Sequence, residues 1–192
     1  MKLDRESILQ SYRKIVGVDS AKARALIKKL DYKSDFILLQ CIAQTYLDES
    51  ILEDDGTMRE YVDKRKWRMA ERYIINAYVI NPDHLHVLYT MGKVRKLGKT
   101  FDLAIYCFER IIKLGVKGAS QGENKLSHDF ARELINDSKF ELYLIYHDLN
   151  ELKLSDKYLK VYRVGLKKGI NTIYKPLSRF LLDRKLPVLI LW

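Results

Sequence analysis

Apolar residues recur every three or four positions along most of the chain, with charged and polar residues between them. This spacing gathers the apolar side chains on one side of a helix and predicts a series of amphipathic helices. Three prolines and nine glycines, most of them near predicted helix ends, leave the helical runs uninterrupted. The sequence therefore predicts an all-α fold.

The first 33 residues predict a helical hairpin. Asp4 begins the first helix and Gly17 ends it, while Asp19 or Ser20 begins a second, shorter helix. Aspartate and serine side chains accept hydrogen bonds from the free amides of a first helical turn, and glycine tolerates the backbone conformation that ends a helix. This hairpin is expected to cover the apolar face of the elements that follow.

The next helices are predicted from similar signals. Ser34 or Asp35 begins the third helix, one long helix runs from about Met58 to Ile80, and Asp83 caps the helix after it. Residues further along predict a loop with Gly115, Gly118 and Gly122, followed by a helix. Ser127 caps that helix.

The centre of the chain contains a helical pattern that repeats at a fixed interval. An interval of 34 residues separates similar residues in three pairs: Ala70 and Ala104, Ile74 and Phe108, and Pro82 and Val116. A period of 34 is typical of one helix–turn–helix unit stacked on the next. The complete unit covers residues 85–116.

Residues 85–116 resemble the tetratricopeptide (TPR) family. Large and small apolar residues occupy the spacing of that motif at Leu88, Met91, Gly92, Phe101, Ala104, Phe108 and Ile112. The match departs where Arg95 replaces the usual aromatic residue and Ile111 replaces alanine. The resemblance implies a right-handed solenoid of helical hairpins, with small residues where the two helices approach closely.

The same spacing extends to the rest of the chain and predicts one domain of about nine helices. The N-terminal hairpin covers residues 1–33, and about three TPR-like units cover residues 34–170. Insertions are expected near residues 50–66 and 115–134, and a C-terminal capping helix with an apolar tail covers residues 171–192. That tail packs either on the last helices or against another chain, so self-association through it stays open.

Several motifs that could indicate an enzyme or a cofactor are incomplete. Gly98-Lys99-Thr100 lacks the earlier glycine of a phosphate-binding loop and is expected to form a turn between helices. The histidines lack metal-binding spacing, and Cys41 and Cys107 lack the spacing of a redox or zinc motif, which predicts buried, reduced thiols. We therefore expect no catalytic site, no metal site and no cofactor.

Composition favours a cytoplasmic protein with a basic surface. The N-terminus has no apolar signal core and no apolar stretch is long enough to span a membrane. The net charge is +10, and residues 152–192 hold ten basic and only two acidic residues. Four lysines share one side of the last full helix: Lys153, Lys157, Lys160 and Lys167. This basic face is either a solvated surface or a site for an acidic protein or nucleic acid.

The TPR resemblance also implies where a partner would bind. In that family the first helix of each repeat lines a concave groove. The matching positions here are Ile37, Gln40, Gln44 and Leu47, then His86, Tyr89, Lys93 and Lys96, then Phe140, Tyr143, His147 and Asn150. The expected function is non-catalytic binding of a protein or peptide, which could be acidic, as an adaptor or scaffold. Nucleic-acid binding through the basic face is the alternative, and no membrane partner is expected.

Overall fold

Helices account for all the regular structure in the parts of the chain described by the computed structural model, which are residues 4–52, 59–119 and 126–173. Eight helices lie in these ranges: α1 (Arg5–Ile15), α2 (Ser20–Ile27), α3 (Phe36–Ile51), α4 (Lys64–Ile80), α5 (Leu85–Leu97), α6 (Phe101–Ala119), α7 (His128–Asp148) and α8 (Leu152–Lys167). The predicted all-α fold is confirmed. The predicted ninth helix and the apolar tail fall beyond residue 173, outside the described residues.

The chain divides into two compact units. The first, Met1–Thr100, contains α1 to α5, and the second, Phe101–Trp192, contains α6 to α8. The boundary falls between α5 and α6, the two helices of the predicted repeat at 85–116. The arrangement of these helices as a single right-handed solenoid stays a prediction.

Most of the predicted helix starts are confirmed by capping hydrogen bonds. The carboxylates of Asp4, Asp19 and Asp35 accept hydrogen bonds from amides in the first turns of α1, α2 and α3. The Ser127 hydroxyl accepts a hydrogen bond from the Phe130 amide at the start of α7. These short polar side chains satisfy amides that have no partner within the helix.

Three predicted boundaries were wrong. The helix predicted from Met58 begins at Lys64, because the Asp63 carboxylate accepts hydrogen bonds from the amides of the first turn. The N-cap of α5 is His84, not Asp83, and its side chain makes no capping hydrogen bond. The loop predicted from Gly115 is helical through Ala119, with a break at Gly115, whose φ of 60° takes it out of the helical conformation.

In the first unit, each helix packs on the next along the chain, and α3 also contacts α5. One core cluster joins α1, α2 and α3 through Ile8, Leu9, Tyr12, Ala23, Ile27, Leu38, Cys41 and Ile42. The Tyr12 hydroxyl donates a hydrogen bond of 3.1 Å to the Cys41 carbonyl. Burial raises the pKa of the Cys41 thiol to about 12, so this cysteine is an inert core residue. Both cysteines are buried and reduced, as predicted.

The contact between α4 and α5 is fixed by one indole and one ion pair. Trp67 Nε1 donates a hydrogen bond of 3.0 Å to the Val94 carbonyl, and its ring lies over Gly98, where a Cβ atom would be 2.5 Å from the ring. Arg95 pairs with Glu71 at 2.6 Å, and both side chains are largely buried. Arg95, at which the sequence departs from the TPR spacing, thus forms an ion pair between α4 and α5.

In the second unit, α7 packs against both α6 and α8. Phe140, Tyr143 and Leu144 of α7 form a buried cluster with Tyr162 of α8. Tyr146 and Tyr158 fall where the repeat spacing calls for small residues, and the structure accommodates them by stacking the rings nearly parallel, with centroids 5.6 Å apart. Offset aromatic pairs of this kind gain energy beyond the area they bury.

A close approach between α7 and α8 depends on Gly165. A Cβ atom at this position would lie 2.5 Å from Cγ of Asn136, inside the contact distance of real side chains. Asn136 is fully buried, and its Nδ2 donates a hydrogen bond of 3.4 Å to the Tyr162 carbonyl. The small residue on α8 thus makes room for a polar side chain of α7.

The segment after α8 is tied to α7 by a buried carboxylate. Asp137 accepts hydrogen bonds from the Thr172 hydroxyl at 2.5 Å and from the Ile173 amide at 3.1 Å. The Tyr162 hydroxyl lies 3.0 Å from Thr172 Oγ1 and completes the cluster. Burial raises the pKa of Asp137 to about 7, and the nearby Glu133 and Glu141 add to this, while the two hydrogen bonds oppose it.

Replacing Gly165 tests the close approach. Gly165→Ala should lower the free energy of unfolding by about 1–3 kcal/mol, because overpacking outweighs the higher helix propensity of alanine. Gly17→Ala is the control, since a Cβ atom there meets nothing within 4 Å. Urea unfolding monitored by circular dichroism gives the free energy of unfolding of both variants. Equal stability of the two variants would contradict a steric role for Gly165.

The raised pKa of Asp137 predicts a pH dependence. The folded state holds the proton to a higher pH than the unfolded chain, so stability should fall as the pH rises from about 4 to about 7. Between pH 5.5 and 8 the loss from this group is about 2 kcal/mol, at 1.36 kcal/mol per pKa unit. Urea unfolding at both pH values should show that Asp137→Asn removes this part of the dependence. An unchanged dependence in the variant would exclude Asp137 as its source.

Candidate partner-binding surface

Eight of the predicted groove residues lie on α3 and α5, which contact each other in the first unit. Ile37 and Leu47 are apolar residues of α3, and the other six carry polar groups. Gln40 and Gln44 are on α3, and His86, Tyr89, Lys93 and Lys96 are on α5. Spacings of three and four residues place the members of each set near one another on their helix. Hydrogen-bond distances place Gln40, Gln44 and His86 directly at the α3–α5 contact.

A chain of hydrogen bonds joins the two helices. Gln40 Nε2 donates to Thr90 Oγ1 at 3.0 Å and lies 3.2 Å from His86 Nε2. The Thr90 hydroxyl donates to Gln44 Oε1 at 3.5 Å, and Gln44 Nε2 donates to Asp48 Oδ1 at 2.7 Å. The series crosses from α3 to α5 and back, so it holds the side chains of both helices in fixed positions.

The charges at this contact are set by burial. Burial lowers the pKa of His86 to about 4, so the imidazole is neutral at pH 7 and one ring nitrogen can accept a hydrogen bond. Burial also raises the pKa of Asp48, while the charge of Lys93 and the hydrogen bond from Gln44 oppose the rise. Lys93 Nζ lies 6.0 Å from the centre of the Tyr89 ring. The result is a mixed polar surface with a carboxylate beside an ammonium group.

Exposure separates the residues a partner can reach from those it cannot. Gln40 and Tyr89 are buried, at 1% and 4% exposure, whereas Gln44, Asp48, His86, Lys93 and Lys96 are half-buried. The half-buried set is called the α3–α5 surface below. Gln40, Thr90 and Tyr89 lie beneath it as support.

The other four predicted groove residues, Phe140, Tyr143, His147 and Asn150, belong to the second unit and differ in exposure. Tyr143 is buried in the core cluster with Phe140 and Tyr162, while His147 and Asn150 are exposed at the end of α7. The rings of Tyr143 and His147 are 6.2 Å apart. Asn150 has a φ of 60°, a left-handed conformation that asparagine tolerates at the end of a helix.

The predicted basic face is a solvent-facing side of α8. Lys153, Lys157, Lys160 and Lys167 are all exposed, and Tyr162 on the opposite side is fully buried. Val161 and Val164 are also exposed, at 41% and 45%. The structure therefore leaves this side of α8 open to a partner or to water.

Sequence reasoning missed two groups of residues. Asp48 and Thr90 lie within the network, and their positions on the polar side of α3 and α5 were the available signal. A second group of cations is exposed along α4 and consists of Lys64, Arg65, Arg68 and Arg72. The run Lys64-Arg65-Lys66-Trp67-Arg68, with four basic residues in five, was the available signal.

Within the described ranges, no group of three or more histidine, cysteine, aspartate or glutamate side chains is placed to hold a metal ion. None of the helices described is both long and apolar enough to cross a lipid bilayer.

Comparison of the chain with protein-family models, with curated proteins and with solved structures found no match. The resemblance to TPR repeats thus rests on residue spacing, and membership of that family stays a prediction.

The lowered pKa of His86 predicts that acid weakens the first unit. The unfolded chain takes up a proton near pH 6.5, before the folded state does, so stability present above pH 6.5 is lost as the pH falls towards 4. At pH 5 the loss is about 2 kcal/mol. Urea unfolding at pH 7.5 and 5 should show a smaller acid loss for His86→Asn than for His128→Asn, which alters an exposed histidine. The same acid loss in both variants would contradict burial of a neutral His86.

Proposed function

We propose that this protein is a non-catalytic cytoplasmic adaptor that binds a protein or peptide segment through the α3–α5 surface, on a TPR-like right-handed solenoid of helical hairpins. The observation that carries the proposal is the hydrogen-bond series from Gln40 through Thr90 and Gln44 to Asp48. It holds the half-buried side chains of Gln44 and Asp48 on α3 against the buried Thr90 of α5. Side chains that are already ordered lose little entropy when a partner binds.

The chemistry of the surface suits an extended peptide with acidic residues. The Gln44 amide can exchange hydrogen bonds with a peptide backbone, and Lys93 and Lys96 place two ammonium groups on the same side of α5. Asp48 provides an acceptor beside them. This mixture of groups gives specificity, because a peptide that does not match it would leave buried polar atoms without hydrogen-bond partners and would bind more weakly.

The structure determines which substitutions can test this proposal. Tyr89 and Tyr143 are each 4% exposed, so alanine at either position would open a cavity and lower stability whether or not a partner binds there. Gln44 and Lys93 are half-buried, so truncating them removes contact groups with less damage to the core.

The test is peptide selection followed by an affinity measurement. Peptides of about twelve residues are selected from a displayed library on the full chain, synthesised with a fluorescent label and titrated by fluorescence anisotropy. Gln44→Ala/Lys93→Ala should raise the Kd about tenfold or more, as loss of central contacts does. Lys157→Ala/Lys160→Ala, which alters only exposed lysines of α8, is the control and should leave the Kd within about twofold.

Two results would overturn the proposal. The first is a library selection that enriches no peptide on the wild-type chain. The second is a peptide whose affinity falls in the α8 control but not in the Gln44/Lys93 variant, since that would move the binding site to the basic face.

The alternative of nucleic-acid binding through this face is favoured by the exposure of all four of its lysines.

A further inference from the structure

The outer side of α4 carries a strip of cations that the proposed function does not use. Lys64, Arg65, Arg68 and Arg72 are all exposed, and they fall within about 100° of arc on an ideal helix. From Lys64 to Arg72 the strip is about 12 Å long, at 1.5 Å per residue. We call these four residues the α4 strip.

The charges of the α4 strip are not neutralised within the described parts of the chain. None of the four side chains takes part in an ion pair there, and no exposed position of α4 holds an acidic residue. The two nearest acids on this segment are engaged elsewhere, since Asp63 caps α4 and Glu71 pairs with Arg95. Among the described residues, the strip therefore has no ion-pair partner, and the exposed acid nearest to it in sequence is Glu60, next to Tyr61.

The position of the strip opposes helix stability. The amino end of a helix carries a partial positive charge, which disfavours cations in the first turn. Lys64, Arg65 and Lys66 occupy that turn, which contains no acidic residue. On α8, by contrast, Lys167 lies in the last turn, where a cation is favourable, and Asp156 lies among the lysines. Local helix stability thus explains part of the α8 pattern and none of the α4 pattern.

An exposed aromatic ring lies next to the strip in sequence. Tyr61, three residues before the start of α4, is 77% exposed. Single-stranded nucleic acids are bound by cations that follow the backbone together with aromatic rings on which bases stack. Arginine suits phosphate because its planar guanidinium can donate two parallel hydrogen bonds.

We propose that the α4 strip and Tyr61 form a binding site for single-stranded nucleic acid, recognised through its phosphates and by stacking on one base. A membrane surface is the competing ligand, because helices that lie on bilayers place large apolar residues beside their cations. Trp67, the large apolar residue among these cations, is half-buried and directs its indole nitrogen to the Val94 carbonyl on α5. Ile75 and Val79 are exposed, at 37% and 75%, but they follow Arg72, so the exposed aromatic ring at the cationic end of α4 is that of Tyr61.

The test measures binding of the full chain to a fluorescein-labelled 20-nucleotide oligouridylate by anisotropy, from 50 to 300 mM salt. Arg65→Gln/Arg68→Gln/Arg72→Gln should weaken binding about thirtyfold at 100 mM salt. It should also reduce the slope of log K against log salt by about two, since each phosphate contact on a single strand contributes about 0.7. Lys153→Gln/Lys157→Gln/Lys160→Gln is the control. It also removes three positive charges, but from α8, and should change the affinity by less than about threefold.

Two further arms identify the ligand. Tyr61→Ala should weaken binding about tenfold, while Tyr106→Ala, which alters another exposed tyrosine on α6, should have little effect. A 20-base-pair duplex of mixed sequence should bind more weakly than the single strand, because its bases are not free to stack on Tyr61. All these positions are exposed, so circular dichroism melts of the variants should match the wild type.

Four results would overturn the proposal: no binding of oligouridylate by the wild-type chain at 50 mM salt, equal losses in the α4 and α8 variants, tighter binding of the duplex, or binding to phosphatidylserine vesicles that depends on the same arginines. Peptide affinity measured in the arginine variant separates this site from the α3–α5 surface. It should be unchanged there, and the Gln44→Ala/Lys93→Ala variant should in turn bind oligouridylate normally.

Discussion

Hydrogen bonds between polar side chains buried among the helices constrain the packing in both units of the chain. In the first unit, Gln40 and Thr90 meet between α3 and α5. In the second, Asp137 of α7 accepts hydrogen bonds from the segment that follows α8. A shift of either contact by one helical turn would leave these groups buried without partners, at a cost that apolar packing alone would not impose. Each polar pair therefore selects one packing of its helices.

The two clusters respond to pH in opposite directions. His86, beside Gln40, has its pKa lowered to about 4, so the folded state keeps this imidazole neutral at pH values where the unfolded chain takes up a proton. The Asp137 carboxyl has its pKa raised to about 7 and favours the retention of one. Burial causes both shifts, because it disfavours whichever form is charged. These two groups therefore change stability with pH in opposite directions, although the same physical effect acts on each.

Cations on this protein divide into those that stabilise the fold and those that face only solvent. Arg24 pairs with Glu49 and lies 3.9 Å from the centre of the Tyr46 ring, and Arg95 pairs with Glu71. The α4 strip and the basic face of α8 form no ion pair in the described ranges, although Lys157 lies 5.7 Å from the centre of the Tyr158 ring. Net charge alone does not separate these classes, since a buried arginine counts the same as an exposed one. Burial and pairing decide which cations a nucleic acid or an acidic protein can reach.

The sequence by itself determined the helices and most of their starts. Apolar spacing and the capping side chains of Asp4, Asp19, Asp35 and Ser127 act within a few residues, so the sequence contains all the information they need. Boundaries were missed where a neighbour in the chain competed, as at Asp63, which caps α4 in place of the expected start at Met58.

Only the tertiary structure decided which predicted site residues are accessible. The TPR spacing placed Gln40, Tyr89 and Tyr143 with Gln44 and Lys93, but packing buries the first three and leaves the other two half-exposed. It also revealed that Gly165 makes room for Asn136 and that Asp137 holds Thr172. These features depend on contacts between residues 29 to 35 positions apart in sequence, which local spacing does not encode. Exposure is likewise a property of the packed helices, because the side chains that cover a position come from other elements of the fold.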